Sequence, residues 1–347
     1  MKDPLISICI PTYYNRASYL KESISSVLGQ TYPDFELIIL NDGSTDNTSE
    51  IIKAFQDPRI RYLENENHLG YIASINKGAS LAKGDWIMFL SDDDVLLPEA
   101  LATLAKTVFE SQIKEIGLVV PQTININSAG KTISVPKLQL NGKEYLVLKP
   151  KEFIPNYTLY GKKVQNKYRF NTCFPSTLFK KQVFIEMGGS CPLVPVAHDL
   201  LIAAKICLKY PVVVIDQPLI KYRVHENPGV SSGLSRQGKF LTEYLNYLNL
   251  LFDFVEKQNI EFGYNFKQYC FDSLIKYLFA VDGGLARLGM RYQAPYSKRL
   301  KKIIEYVCFG ISQKKGLFLS PSFYGAVLIS LLPQKLLLKI ARFYKKI

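Results

Sequence analysis

The sequence lacks the features of a secreted protein and of a protein stabilised by disulfides or zinc. Six cysteines are scattered over 347 residues with no C-x-x-C pair: Cys9, Cys173, Cys191, Cys207, Cys270 and Cys308. This spacing excludes a disulfide framework or a zinc finger, and it predicts reduced, mostly buried thiols. The opening MKDPLISICIPTYYN lacks the basic region, the apolar stretch and the small-residue cleavage site of a secretory signal. We therefore expect a cytoplasmic protein.

Several nucleotide- and nucleic-acid-binding patterns are also missing. Neither a Walker-type loop nor G-x-G-x-x-G occurs, so no glycine-rich loop can hold phosphates. There is no internal repeat, low-complexity linker or DNA- or RNA-binding motif. The chain does have 48% hydrophobic residues, 22 Tyr and 20 Phe, with only 21% charged residues. That composition predicts a folded protein of one large or two ordinary domains and argues against nucleic acid as a partner.

The positive charge is concentrated near the C-terminus. Residues 235–347 carry 18 Lys+Arg and 7 Asp+Glu, which leaves 25 and 23 for residues 1–234. Within this region the uncharged segment 316–334 precedes QKLLLKIARFYKKI, which on a helix places a basic stripe beside an apolar one. We expect peripheral attachment to an anionic membrane surface. The open alternatives are a helix docked on the rest of the protein, a membrane span, against which prolines and serines in 316–334 argue, and nucleic-acid binding, for which no motif is present.

The order of apolar runs predicts an α/β fold with a mostly parallel central sheet flanked by helices, followed by a helical C-terminal extension from about Phe240. The predicted strands are Leu5–Ile10, Phe35–Leu40, Ile60–Leu63, Trp86–Leu90 and Gly117–Val120. The predicted helices between them are Tyr19–Leu28, Thr48–Phe55, Tyr71–Leu81 and Pro98–Ser111. Residues 121–175 show no sustained period and are interpreted as an elaborated loop region. A helix at Asp199–Leu208 and a strand at Val212–Ile215 follow.

Polar residues follow three of these strands, Leu5–Ile10, Phe35–Leu40 and Trp86–Leu90, at the edge where open α/β sheets bind ligands. Asp92, Asp93 and Asp94 come directly after an apolar run, and their mutual repulsion favours a divalent cation with hard oxygen ligands, Mg²⁺ or Mn²⁺. Capping of the next helix is the alternative, although it needs one Asp rather than three. Asp42 alone is typical of a turn, but beside the aspartates it can accept a hydrogen bond from a nucleobase or ribose.

The segments ISICIPTYYNRASYLKESISSVLGQTYPDFELIILNDGSTDNT and NHLGYIASINKGASLAKGDWIMFLSDDDVLLPEAL closely resemble family-2 glycosyltransferases of the GT-A (Rossmann-like) fold. The resemblance continues in FKKQVFIEMGG, AHDLLIAAKI and LIKYRVHENPGVSS. It implies a catalytic domain over residues 1–234, with a nucleotide-binding half to about 120 and an acceptor-binding half over 121–234. The basic region 235–347 would then be separate.

The resemblance also implies roles for individual residues. Pro11, Thr12, Tyr13 and Asp42 would surround the base of a sugar nucleotide, and Asp92 would lie near its ribose. Asp93 would bind the metal that bridges the diphosphate, His225 would approach the diphosphate or that metal, and Asp199 would be the catalytic base. The implied reaction is inverting transfer of one sugar from a nucleoside-diphosphate sugar to a hydroxyl of a saccharide or lipid-linked acceptor.

Two alternatives remain open from the sequence. Ser91 stands where the family's metal motif commonly begins with Asp, and His198 stands where Glu is common. Those departures also fit a sugar-nucleotide-binding or assembly subunit with weakened catalysis. Nucleotidyl transfer on a similar sheet is less favoured, because no phosphate loop is present.

Overall fold

The computed structural model describes residues 5–262 and 266, except 15–16, 111–112, 114, 136–142, 153–176, 226–239 and 263–265. The chain forms two compact units: residues 1–155 with 166–226, and residues 156–165 with 227–347. The first unit contains a ten-stranded mixed sheet and six of the helices described below. The predicted α/β class is confirmed.

Strand and helix alternate through the first 110 residues, as the apolar pattern predicts. The strands are β1 (Ile6–Thr12), β2 (Phe35–Asn41), β3 (Ile60–Glu64), β4 (Trp86–Phe89) and the short β5 (Val95–Leu96). The helices are α1 (Ala17–Leu28), α2 (Thr48–Lys53), α3 (Tyr71–Leu81) and α4 (Ala100–Glu110). Neighbours β3, β2, β1 and β4 are all parallel, with Ile8 of β1 opposite Leu37 of β2 and Met88 of β4.

The second half of this unit completes the sheet. It contains β6 (Leu118–Ile126), β7 (Thr132–Ser134), β8 (Tyr145–Leu148), β9 (Leu178–Lys180), α5 (Lys181–Glu186), α6 (His198–Lys209) and β10 (Val212–Arg223). β6 and β10 pair in parallel, whereas the short β5, β7, β8 and β9 make antiparallel pairings. The predicted strand Val212–Ile215 is only the start of β10, which bulges near Pro218 and continues to Arg223.

Both faces of β1 are buried because helices cover both sides of the sheet. Ile6, Ile8 and Ile10 alternate along the strand and share a core with residues of α1 and α4. Cys9 points to the opposite face, where α3 approaches so closely that a Cβ on Gly78 would be 3.1 Å from the cysteine sulfur. This packing leaves the carboxyl ends of the strands as the polar edge of the sheet.

In the second unit, the structure describes one helix, α7 (Phe240–Lys257). It begins at the predicted residue. Tyr247, Leu248, Leu251 and Phe252 are fully or almost fully buried, and their spacing of one, three and one residues forms a single apolar face. The remainder of the basic tail, including 316–347, lies outside the described residues.

Candidate active site

Three loops meet where β1, β2 and β4 end. Thr12 is buried at the end of β1, and its hydroxyl donates to Asp92 Oδ2 at 2.8 Å. The backbone N–H of Asp42 donates to the Thr12 carbonyl at 2.9 Å. Pro11 lies one residue earlier in β1, opposite Leu40. The structure therefore brings together Thr12, Asp42 and Asp92, as expected from parallel strands that end at one edge.

Asp42 is buried, and its carboxylate accepts three hydrogen bonds and lies close to a histidine. Oδ1 accepts from the Asn65 amide at 2.8 Å and the Leu69 N–H at 2.9 Å, and Oδ2 accepts from the Gly70 N–H at 2.8 Å. His68 Nδ1 lies 2.9 Å from the same Oδ2. Burial alone would raise the pKa of Asp42, but the donors outweigh it and lower the pKa below its ordinary value. Asp42 is therefore an ionised acceptor at neutral pH.

An aromatic pair covers the outer side of this carboxylate. The Tyr13 ring stacks on His68 with centroids 3.9 Å apart and an angle of 27°. Tyr13 and Tyr14 are both 45% exposed, and Tyr14 has a positive φ of 40°. The Tyr14 N–H donates to Ser44 Oγ at 3.1 Å. Tyr13, rather than Tyr14, is thus the tyrosine that contacts the Asp42 cluster through His68.

The sharp turn after β2 requires glycine. Gly43 has φ of 75°, and a Cβ there would lie 2.9 Å from the backbone of Asn67 and His68. Glycine adopts this positive φ without strain. Because glycine also has no Cβ, the turn can pack directly on the β3–α3 loop. This close approach is what delivers His68 to Asp42.

The carboxylates after β4 are anchored by the end of β10. The backbone N–H of Arg223 donates to Asp94 Oδ1 at 2.7 Å, and its Nε donates to the Asp93 carbonyl at 2.8 Å. The buried guanidinium also pairs with Glu22 at 2.6 Å. Two residues later His225 Nε2 lies 2.9 Å from Asp93 Oδ2, so the structure brings the two predicted metal ligands into contact.

The donor set near Asp93 suits a hard divalent cation only in part. Within the described residues, no group of three or more His, Cys, Asp or Glu side chains is arranged to hold a metal ion. Asp94 Oδ2 is buried without a hydrogen-bond partner in the described part of the chain. Burial, and then the charge of Asp93, raise the pKa of Asp94 well above its ordinary value. The site thus offers the Asp93 and His225 pair and crowded acidic oxygens, rather than a complete cage.

The start of α6 lies near these carboxylates. Asp199 is in the first turn of α6, with Oδ1 accepting the Leu200 N–H at 2.7 Å. The residue keeps some exposed surface, but its carboxyl group is surrounded by protein, and this burial raises the pKa of Asp199 to about 7. His198 is buried, with Nδ1 3.2 Å from Ser190 Oγ, and burial lowers its pKa to about 4. Of the two residues, only Asp199 titrates near neutral pH.

The charges of both Asp199 and Asp92 affect Tyr71, at the start of α3. Its ring lies edge-on to His198 with centroids 5.7 Å apart. The residue is 42% exposed, but its hydroxyl is buried. Burial raises the pKa of Tyr71, and the negative charges of Asp199 and Asp92 raise it further. The charges of Asp199, in α6, and of Asp92, in the loop after β4, therefore add to the effect of burial on the same phenol.

Sequence reasoning missed three residues of this site: His68, Tyr71 and Arg223. The sequence alone assigns no role to His68, and it predicts Tyr71 only as the first residue of a helix. In the string Tyr-Arg-Val-His, the family resemblance assigns a role to the histidine alone. The one available signal was that Arg223 and His225 alternate with apolar residues at the end of a strand, which places both on one side of it.

The mixed sheet with helices on both faces is an α/β fold, and comparisons with known proteins define its family. Residues 7–188 match Glycosyl transferase family 2, so the chain belongs to that family and is a glycosyltransferase. An uncharacterized glycosyltransferase of Methanocaldococcus jannaschii is 30% identical over 81% of this chain and 90% of its own length.

Two further similarities are limited, one in the length of chain that matches and the other in sequence identity. The GalNAc(5)-diNAcBac-PP-undecaprenol beta-1,3-glucosyltransferase of Campylobacter jejuni is 31% identical over 49% of this chain and 56% of its own length. Residues 1–349 of S. aureus TarS, crystallised with UDP-GlcNAc, match with a TM-score of 0.54 and 17% identity, covering 89% of this chain and 91% of theirs. The TarS comparison confirms the predicted GT-A type of fold.

The predicted membrane attachment stays a prediction. Among the helices that the structure describes, none is long and apolar enough to cross a bilayer. The segment 316–347, on which peripheral attachment was predicted, is outside the described residues.

Proposed function

We propose that this protein transfers one sugar from a nucleoside-diphosphate sugar to a hydroxyl of a saccharide or lipid-linked saccharide acceptor, with inversion at the anomeric carbon. The proposal rests chiefly on one observation. Asp93 Oδ2 and His225 Nε2 lie 2.9 Å apart, and the charges of Asp199 and of Asp92, next to Asp93, add to the effect of burial in raising the pKa of Tyr71. A general base and a diphosphate-binding region are what a single displacement requires.

Asp199 is assigned as the general base. An acceptor hydroxyl must lose its proton as it attacks, and a base is most effective when its pKa is near the working pH. Asp199 meets that condition because burial raises its pKa to about 7. His198 is a poor alternative, since its pKa of about 4 makes it a weak base.

Asp42 and Tyr13 are assigned to the nucleobase, and Thr12 and Asp92 to the adjoining ribose. Asp42 offers an ionised acceptor, and Tyr13 offers an exposed aromatic face. Pro11 shapes the end of β1 beside them. The donor class is further supported by TarS, which shares the fold and has been crystallised with UDP-GlcNAc.

Asp93 and His225 are assigned to a divalent cation, Mg²⁺ or Mn²⁺. Their contacting atoms are 2.9 Å apart, and neighbouring ligands at about 2.1 Å from an octahedral ion are about 3 Å apart. Asp94 Oδ2, which is buried without a hydrogen-bond partner in the described part of the chain, belongs to the residue next to Asp93. When bound, such an ion would neutralise the charge that develops on the departing diphosphate. Arg223 keeps the two protein ligands together, since it bonds the Asp93 carbonyl and lies two residues before His225.

The test is turnover of a panel of UDP-, GDP- and dTDP-sugars with Mn²⁺, measured as release of nucleoside diphosphate and transfer to acceptors. We expect Asp199→Asn to lower kcat by about 10²–10⁴-fold while UDP affinity stays within about threefold of wild type. The matched control is Glu50→Gln, an exposed carboxylate on α2. Transfer by Asp199→Asn at the wild-type rate would remove the residue from the base role. Donor binding by wild type without turnover would favour a binding subunit.

Attachment to an anionic membrane surface is part of the same proposal. It is supported by the charge of residues 235–347, which carry 18 Lys+Arg against 7 Asp+Glu, and it would concentrate the enzyme near a lipid-linked acceptor. We expect the full chain, but not a chain lacking 316–347, to sediment with phosphatidylglycerol-containing vesicles. Equal sedimentation of both proteins would contradict attachment through this segment.

A further inference from the structure

The Asp42 carboxylate is almost fully surrounded by protein groups. A carboxylate offers about four lone-pair sites. Three accept hydrogen bonds, from the Asn65 amide and the Leu69 N–H on Oδ1 and from the Gly70 N–H on Oδ2, and His68 Nδ1 lies 2.9 Å from the same Oδ2. A nucleobase that donates a hydrogen bond to Asp42 must therefore displace one of these four groups.

Of the four groups around the Asp42 carboxylate, the His68 side chain is the easiest to displace. The donors from Leu69 and Gly70 are backbone groups of the loop itself, and Asn65 is buried and held by Lys77. The His68 side chain, by contrast, is 50% exposed, so water can replace its partner when it turns outward.

The imidazole also occupies the aromatic face beside Asp42. It stacks on Tyr13 with centroids 3.9 Å apart while its Nδ1 lies 2.9 Å from Asp42 Oδ2. A base with a flat face and a ring N–H makes the same two contacts with the same two partners. The imidazole and the base cannot occupy this position at once.

We propose that His68 is a built-in competitor of the nucleobase, which fills the base subsite in the free enzyme and turns outward when the nucleotide enters. The proposal rests on the assignment of Asp42 and Tyr13 to the base in the proposed function. It selects bases that carry a ring N–H donor, namely uracil, thymine or guanine. Because part of the binding energy is used to displace His68, the apparent affinity is lower than that of the open site.

The consequence is opposite to that of an ordinary contact residue. Removing a side chain that binds the base weakens binding and raises the dissociation rate. Removing a competitor strengthens binding, chiefly through a faster association rate, because the open state is always populated. We expect His68→Ala to bind UDP about two- to fivefold more tightly than wild type.

The experiment is titration and stopped-flow binding of UDP with Mn²⁺ to the full chain. Glu66→Ala is the matched control, because Glu66 is an exposed residue of the same loop and has no contact with Asp42 among the described residues. We expect it to bind as wild type does. His68→Phe keeps the stacking on Tyr13 and loses the donor, so we expect an affinity between those of wild type and His68→Ala.

Three results would overturn the proposal. Weaker UDP binding by His68→Ala would make His68 a contact of the base, and unchanged binding would make it a bystander. Either result leaves the proposed function intact, since wild type still binds UDP. Failure of wild type and of all variants to bind any nucleoside diphosphate would overturn the proposed function together with this inference.

Discussion

Replacing Asp199 by Asn should make the protein more stable at pH 8 while removing its activity. Burial raises the pKa of Asp199 from 3.8 to about 7, so folding must suppress an ionisation that the unfolded chain allows. Below about pH 4 the group is protonated in both states and has no effect. Between pH 4 and 7 only the unfolded chain ionises, and the cost to the folded state grows. Above pH 7 the cost is constant.

The magnitude follows from the two pKa values. A shift from 3.8 to about 7 is about three units, which corresponds to about 4 kcal/mol at most. The partial exposure of Asp199 reduces this figure. The new amide also brings N–H donors whose burial without partners costs about 1–3 kcal/mol. The Leu200 N–H keeps its acceptor, since Asn retains one oxygen. We therefore expect a net gain of about 1–2 kcal/mol at pH 8.

Thermal unfolding at pH 5 and pH 8 measures this effect. A gain of 1–2 kcal/mol raises Tm by about 2–6 °C at pH 8, and the difference should be smaller at pH 5. Glu50→Gln, which removes an exposed charge on α2, should change Tm little at either pH. The reasoning fails if Asp199→Asn melts at or below the wild-type Tm at pH 8. It also fails if the difference is the same at both pH values.

Two further predictions concern the scaffold. A Cβ on Gly117 would lie 2.4 Å from the Ile206 side chain on α6. We therefore expect Gly117→Ala to lower the free energy of unfolding by about 1–3 kcal/mol in urea unfolding. An unfolding midpoint equal to that of wild type would contradict this packing. Burial would raise the pKa of Glu36, but hydrogen bonds from Ser7, Lys83 and Arg61 lower it on balance. Wild type should therefore lose this stabilisation as the pH falls below about 4.5, whereas Glu36→Gln should show less of that loss in melting curves from pH 3 to 7.

The first part of the fold was predictable because its signals are local. Apolar runs such as Phe35–Asn41 and Trp86–Phe89 are buried on both faces and therefore read as continuous hydrophobic strands. The predicted boundaries differ from the observed ones by a few residues. The prediction for β10 was too short, because Asp216, Gln217 and Pro218 interrupt its apolar pattern at the bulge.

The candidate site was predictable only where its residues follow strands. The position of Asp42 and Asp92 after parallel strands predicts their proximity, and Thr12 links them as expected. Arg223 was missed because it lies 129 residues from Asp94 in the chain. His68 was missed because its role depends on a close approach of two loops at Gly43.

By itself, the sequence determined the α/β alternation, the acidic sheet edge and the family, because side-chain periodicity and short motifs are properties of neighbouring residues. Only the tertiary structure decided that His68 lies against Asp42, that Arg223 anchors Asp93 and that burial raises the pKa of Asp199 to about 7. These are properties of burial and of contacts between distant segments, and both arise only when the chain packs against itself.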